Sequence, residues 1–166
     1  MVKLRIFGEH RLVCRNPDGK VVWVETVRNG ITAAGLAALL QDFFAAGPQK
    51  TAWYMGLIDN VNFSALSADD TMSSHAGWQE FSDYVGATRP QWSTLSVAGA
   101  VIANTSPVQW TFSVTRTARG IFVASSGVKG EAASTLWSTA AFATARTVQA
   151  GQSLTDTYTV RAAGGT

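Results

Sequence analysis

Apolar and polar residues alternate over the first thirty positions. Val2, Leu4 and Ile6 share one parity, Leu12 and Cys14 keep it, and Val22 and Val24 repeat it after a break. A period of two marks strands with one buried face. The break is Asn16-Pro17-Asp18-Gly19. Proline presets φ, the aspartate bonds nearby backbone and glycine accepts positive φ, so a hairpin is predicted. Val27-Arg28-Asn29-Gly30 closes its second strand. The period then lengthens. Thr32 suits an N-cap, and Leu36, Leu39, Leu40, Phe43 and Phe44 fall on one helical stripe before Gly47-Pro48 stops it. One short amphipathic helix near residues 33–46 is predicted, with its stripe packed in the core against a sheet.

Trp53–Ile58 reads as a short buried strand. From 59 to 90 the pattern dissolves into a long structured connection, with a helical turn expected near Ser73–Glu80. Strands return at Gln91–Val97, Val108–Thr115, Gly120–Ser125, Thr135–Ala143 and Ser153–Arg161. The clearest sets Trp110, Phe112 and Val114 against Thr111, Ser113 and Thr115, an apolar face and a hydroxyl face. Many strands with one helix predict a mainly β fold, an antiparallel two-sheet β-sandwich, as one domain over residues 1–166. One position resists: Asp156 shares its parity with Leu154, Tyr158 and Val160. A buried carboxylate needs donors, so a bulge or a partner such as an arginine is expected there.

Composition narrows the class. Charged residues are 14% of the 166, against the usual ~25%, and 46% are hydrophobic, which excludes a disordered tail. The net charge of +2 is too small to imply nucleic acid. Its distribution is uneven: residues 51–88 hold no Lys or Arg but carry Asp59, Asp69, Asp70, Glu80 and Asp83, between basic flanks. Cys14 is the single cysteine, so no intrachain disulfide or thiolate cluster forms, which suits a reducing cytoplasm. No apolar run reaches membrane-span length, and the opening residues lack the apolar core of a secretion signal. A soluble chain made without export, with no membrane contact, is the expectation.

Candidate chemistry centres on Asp69-Asp70-Thr71-Met72-Ser73-Ser74-His75, followed by Glu80 and Asp83. Asp, His and Glu can ligate divalent cations, but the spacing matches neither zinc nor calcium motifs. The plainer reading is a helix N-terminus capped by Asp70 or Thr71. A Ser–His hydrolase through His75 lacks any Gly-x-Ser-x-Gly elbow. Of six tryptophans, Trp23, Trp53 and Trp110 read as core, whereas Trp78, Trp92 and Trp137 fit core or interface equally. Arg116 and Arg119 flank an apparent turn and fit surface ion pairs. No catalytic residue, metal site or cofactor is assigned.

Three stretches carry a resemblance: Glu25-Thr26-Val27-Arg28-Asn29-Gly30-Ile31-Thr32, Trp53-Tyr54-Met55-Gly56-Leu57-Ile58, and Asp70-Thr71-Met72-Ser73-Ser74-His75-Ala76-Gly77-Trp78-Gln79-Glu80. With Gly120-Ile121-Phe122-Val123 and Val148-Gln149-Ala150-Gly151-Gln152-Ser153-Leu154, they resemble small virion structural proteins of tailed bacteriophages. The resemblance implies a non-enzymatic capsid decoration (cement) protein, its sandwich of jelly-roll type, on the capsid exterior and made in the bacterial host cytoplasm. Its implied partners are the major capsid protein and neighbouring copies, without direct nucleic-acid contact. A tail or fibre component, or a glycan-binding module using Trp78 and Trp92, is the alternative. The expected interface residues are Asp69, Asp70, His75, Trp78, Glu80, Asp83, Trp92, Arg116 and Arg119, with the acidic stretch meeting basic residues of the shell or of an adjacent copy.

Overall fold

A computed structural model of the protein describes residues 3–165; Val2, the first member of the expected alternation, lies outside them. Strands β1 (Lys3–Arg15) and β2 (Val21–Ile31) form the predicted hairpin. Its turn behaves as the residues dictate. Gly19 N–H donates to the Asn16 carbonyl at 2.9 Å, with φ at +80°, and Lys20 N–H donates to the Asn16 side chain at 2.8 Å. The second strand corrects the sequence reading of its parity. Pairing steps from Arg15↔Val21 to Cys14↔Trp23, so Val22 is the extra residue of a bulge. That one-residue shift turns Trp23, Glu25, Val27 and Asn29 inward and leaves Val22 and Val24 exposed.

Helix α1 (Ala33–Phe44) follows, then β3 (Trp53–Asp59), β4 (Glu80–Phe81), β5 (Gln91–Trp92), β6 (Leu95–Ala98) and β7 (Val101–Asn104). The chain ends with β8 (Val108–Thr111), β9 (Arg116–Ala124), β10 (Leu136–Val148) and β11 (Ser153–Gly165). Arg116 and Arg119 therefore stand within a strand rather than beside a turn. No helix forms near Ser73–Glu80: the segment is a run of turns, with Thr71 bridging Ser74.

The two-sheet sandwich is overturned by one seam. Gly30 and Ile31 of β2 pair with Thr139 and Ser138 of β10, joining what would be separate sheets. The result is a single curled antiparallel sheet, a half-barrel with the order β4-β3-β9-β10-β2-β1-β11-β7-β6, to which β5 adds on β3 and β8 on β11. Three thirteen-residue strands (β1, β10 and β11) accumulate twist. Irregularities at Ile58/Asp59, Leu136/Ser138 and Ala141/Arg146 bend the sheet further. Curling lets one sheet do what two facing sheets do in a sandwich. Leu12, Met55, Trp110, Ile121, Phe142 and Leu154, from six strands, meet in a single core.

A second, smaller core lies on the other face of β3, β9 and β10. There Ile58, Phe122, Ala124 and Leu136 are covered by Met72 and Trp78 from the 59–90 connection. The long connection is thus a cover of turns packed on the sheet, which explains why β9 is buried on both faces.

Asp156 is resolved without a bulge. The β1–β11 register runs unbroken from Lys3↔Gly165 to Arg15↔Ser153, and the carboxylate faces His10 rather than an arginine.

Helix α1 forms where predicted, with the Thr32 hydroxyl accepting from Gly35 N–H at 3.0 Å. Its stripe, expected in the core, is instead open. The helix meets β10 through Gly35 and Ala38, its only buried residues. A side chain at Gly35 would run into the Trp137 carbonyl. At roughly 100° per residue, the Leu/Phe stripe points about a third of a turn away from that contact. Phe43 is 77% exposed, Phe44 76%, and Leu36, Leu39 and Leu40 are exposed too.

Candidate functional site

The acidic residues of the connection are largely engaged within the chain. Glu80 forms a two-pronged pair with the buried Arg89, both contacts at 2.8 Å, and accepts from Gly130 N–H. Arg116 reaches Asp83 at 2.6 Å and Asp59 at 3.7 Å. Asp70 accepts from Ser67 N–H and from the Trp78 indole at 3.0 Å. Asp69 remains exposed. His75 stacks on Trp78 at 3.9 Å between centroids and hydrogen-bonds the Trp78 carbonyl, whereas Ser73 bonds Thr71. Histidine and serine are therefore not brought together as nucleophile and base. Among the described residues no group of three or more His, Cys, Asp or Glu could hold a metal ion.

A polar hollow of about 340 Å³ lies beside this cluster, lined by His75, Gln79, Glu80, Lys129 and Glu131. Its charges already have protein partners: the Lys129 ammonium donates to the Ser82 and Tyr84 carbonyls at 2.9 and 2.8 Å. Burial pulls the Lys129 ammonium below its usual range, against Glu80 and Asp83, which raise it. Arg119 donates to the Phe142 carbonyl and lies over the Phe63 ring. Of the expected interface set, the pairs Glu80–Arg89 and Asp83–Arg116 act as internal clamps between the connection and its neighbours.

Trp78 is 2% exposed and Trp92 7%, so neither offers an open ring face to a sugar. Trp92 donates to the Asn104 side chain at 3.3 Å, and that same oxygen accepts from Tyr158 N–H. Behind it lies a buried polar network that the sequence signalled only through Asp156. His10 Nδ1 and the Asp156 carboxylate are 2.7 Å apart, and the His10 ring stacks on Tyr158 at 4.1 Å. The Tyr158 hydroxyl accepts from Asn29 at 2.5 Å and from the Trp137 indole at 2.9 Å. Gly8 leaves the room this requires, since a Cβ there would collide with Asn29 and Tyr158. Burial pushes the Tyr158 phenol up to about 12. His10, Asp156 and Tyr158 are fully sealed from solvent, so the network ties β1, β2, β10 and β11 together rather than meeting a substrate.

Two surfaces remain unsatisfied. The first is apolar. Leu39 and Phe43 of α1 form one wall of a groove of about 650 Å³, and Val97, Val101 and Ile102 of the β6–β7 hairpin form the other. Trp53, Trp92, Trp137, Ile6, Val160 and Ala162 complete its lining. Lys50 pairs with Asp42 at 3.3 Å, which cancels the two charges at the rim. Outside the groove Leu36, Leu40 and Phe44 of the same helix stripe and Leu4 of β1 are exposed, and Val97 on the groove wall is 70% exposed.

The second surface is basic. Odd-numbered residues of β1 face outward, and with their neighbours on β2 and β11 they put Arg5, Arg11, Arg28 and Arg161 on the convex side of the sheet. Register sets Arg161 opposite Phe7 and Arg28 opposite Glu9. Glu9 is the one acid of this patch, and its contact with Arg28 is a loose 3.8 Å. From Arg5 to Arg11 the strand advances roughly 20 Å. Threonines 26, 157 and 159 fill the spaces between. The sequence signal for this face was Arg5, Arg11 and Arg15 sharing one parity of β1, opposite to Leu4, Ile6, Leu12 and Cys14.

No helix among the described residues is long and apolar enough to cross a membrane. Compared with family models, with curated proteins and with solved structures, the chain gives no match.

Proposed function

We propose that this chain is a non-enzymatic structural protein of a tailed-phage virion, a capsid decoration protein seated on the outer surface of the major capsid protein shell. The observation that carries the reading is the convex arginine–threonine face of β2, β1 and β11. The other acid–base pairs are consumed inside the fold, by Glu25–Arg146, Glu80–Arg89, Asp83–Arg116 and Asp42–Lys50. On the convex face, among the described residues, Arg5, Arg11 and Arg161 form no ion pair and Arg28 has only its loose contact with Glu9. Arginine forks match carboxylates, so the complementary partner is an acid-bearing protein surface. Each such contact is weak in water, and repetition over a lattice makes the sum large. The resemblance noted in the sequence supports the same class. The acidic connection, with most of its carboxylates already paired, is the less suitable attachment surface of the two.

The test uses particles from the lysate of the phage that carries this gene. Quantitative mass spectrometry and electron cryo-microscopy should find the chain in fixed copy number, in regular density on the shell. The variant Arg5→Glu/Arg11→Glu/Arg161→Glu, added to particles lacking the chain, should bind at least about tenfold more weakly, and wild-type binding should weaken as salt rises. Absence from purified particles overturns the reading. Density confined to the tail moves the same surface to a tail role.

A further inference from the structure

We infer that the apolar face of α1 and the β6–β7 hairpin joins two copies of this chain in a two-fold symmetric dimer, with Phe43 and Phe44 of each copy seated in the groove of the other. Three observations carry this, independently of the virion reading.

The first is area. The open parts of the helix stripe, Leu4 and Val97 amount to on the order of 800 Å², which is about what each partner of a stable interface buries.

The second is shape. The face holds a protrusion and a hollow side by side. Phe43 and Phe44 pack edge to face at 4.8 Å as one knob, and the groove of about 650 Å³ beside them has ample room for two phenyl rings. A two-fold axis between knob and groove satisfies both at once, which is what a self-complementary contact requires.

The third is charge. Asp42 and Lys50 neutralise each other within each copy, so the face meets its own image without repulsion. At the hairpin rim, β6 is an edge strand with all four residues exposed, and its free backbone groups lie open to a neighbouring strand.

The experiment is sedimentation equilibrium on the full chain from about 1 to about 100 µM, a range in which interfaces of this size associate. Wild type should sediment as a dimer. Phe43→Asp/Phe44→Asp removes the knob from exposed positions, so the fold, checked by circular dichroism, should persist while dimer affinity falls by on the order of thirtyfold or more. Val97→Lys, on the opposite wall, should weaken it through the groove. A wild-type monomer throughout the range overturns the inference, as does a dimer indifferent to both variants. A monomer whose Phe43→Asp/Phe44→Asp variant also fails to bind particles overturns it in favour of the shell as occupant. Free-protein mass and particle occupancy are separate readouts, so failure here leaves the capsid reading to its own test.

Discussion

Cys14 illustrates how burial governs a single side chain. Its thiol is sealed from solvent, 3.4 Å from the Gln152 side chain, and desolvation pushes its pKa from 9.0 up to about 11. The neutral thiol is thus favoured in the folded chain. The unfolded chain loses this proton first, so stability is fully present below pH 9 and falls as pH rises toward 11. A two-unit displacement corresponds to about 3 kcal/mol. Urea titrations at successive pH values should show the decline beginning near pH 9, before tyrosine contributes. Cys14→Ala should flatten the first part of that slope. Native protein at pH 8 should also resist alkylation by iodoacetamide. Rapid labelling without unfolding would contradict the sealed position.

At the scale of elements, helix α1 separates two roles that are usually merged. Its capping and stop signals set its limits, and its small residues, not its large ones, set its packing. Gly35 and Ala38 allow the helix backbone to approach β10 closely, and Thr32 anchors the entry by donating to the Leu136 carbonyl at 2.5 Å. Gly35→Ala should therefore destabilise the fold by about 1–3 kcal/mol, since Trp137 backbone blocks the new methyl. Leu40→Ala on the open stripe should cost within about 0.5 kcal/mol in dilute monomer, against the ~2–5 kcal/mol of a core leucine. Denaturant midpoints of the two variants decide between an open and a buried stripe. Strand β2 teaches a similar lesson, since Val22 as a bulge residue reverses the faces that alternation alone assigns.

The whole molecule is held as one unit by a narrow seam and a shared core. Only Gly30–Ile31 and Ser138–Thr139 pair across β2 and β10, yet Leu12 and Leu154 on one side touch the same core as Ile121 and Phe142 on the other. Glu25 reinforces the junction, bonding Arg146 at 2.5 Å and Ala143 N–H at 3.1 Å across it. Unfolding followed by tryptophan fluorescence and by far-ultraviolet circular dichroism should accordingly give coincident transitions. Two resolved transitions would mean that the halves fold separately and that the seam is not structural.

Local chemistry alone determined the hairpin and its Asn16–Gly19 turn, the helix with its Thr32 cap, the approximate strand positions and the demand of Asp156 for a partner. Each depends on neighbours a few residues apart, or on a desolvation cost that holds in any fold. Tertiary structure alone decided that the strands form one curled sheet, that His10 answers Asp156 across 146 residues, and that Trp78 plugs a core while Phe43 and Phe44 face outward. Hydrophobic spacing marks a stripe without saying what it meets. Whether apolar side chains are buried within the chain or left for another subunit depends on which backbones approach each other, and here a glycine and an alanine on the adjoining side of the helix settled it.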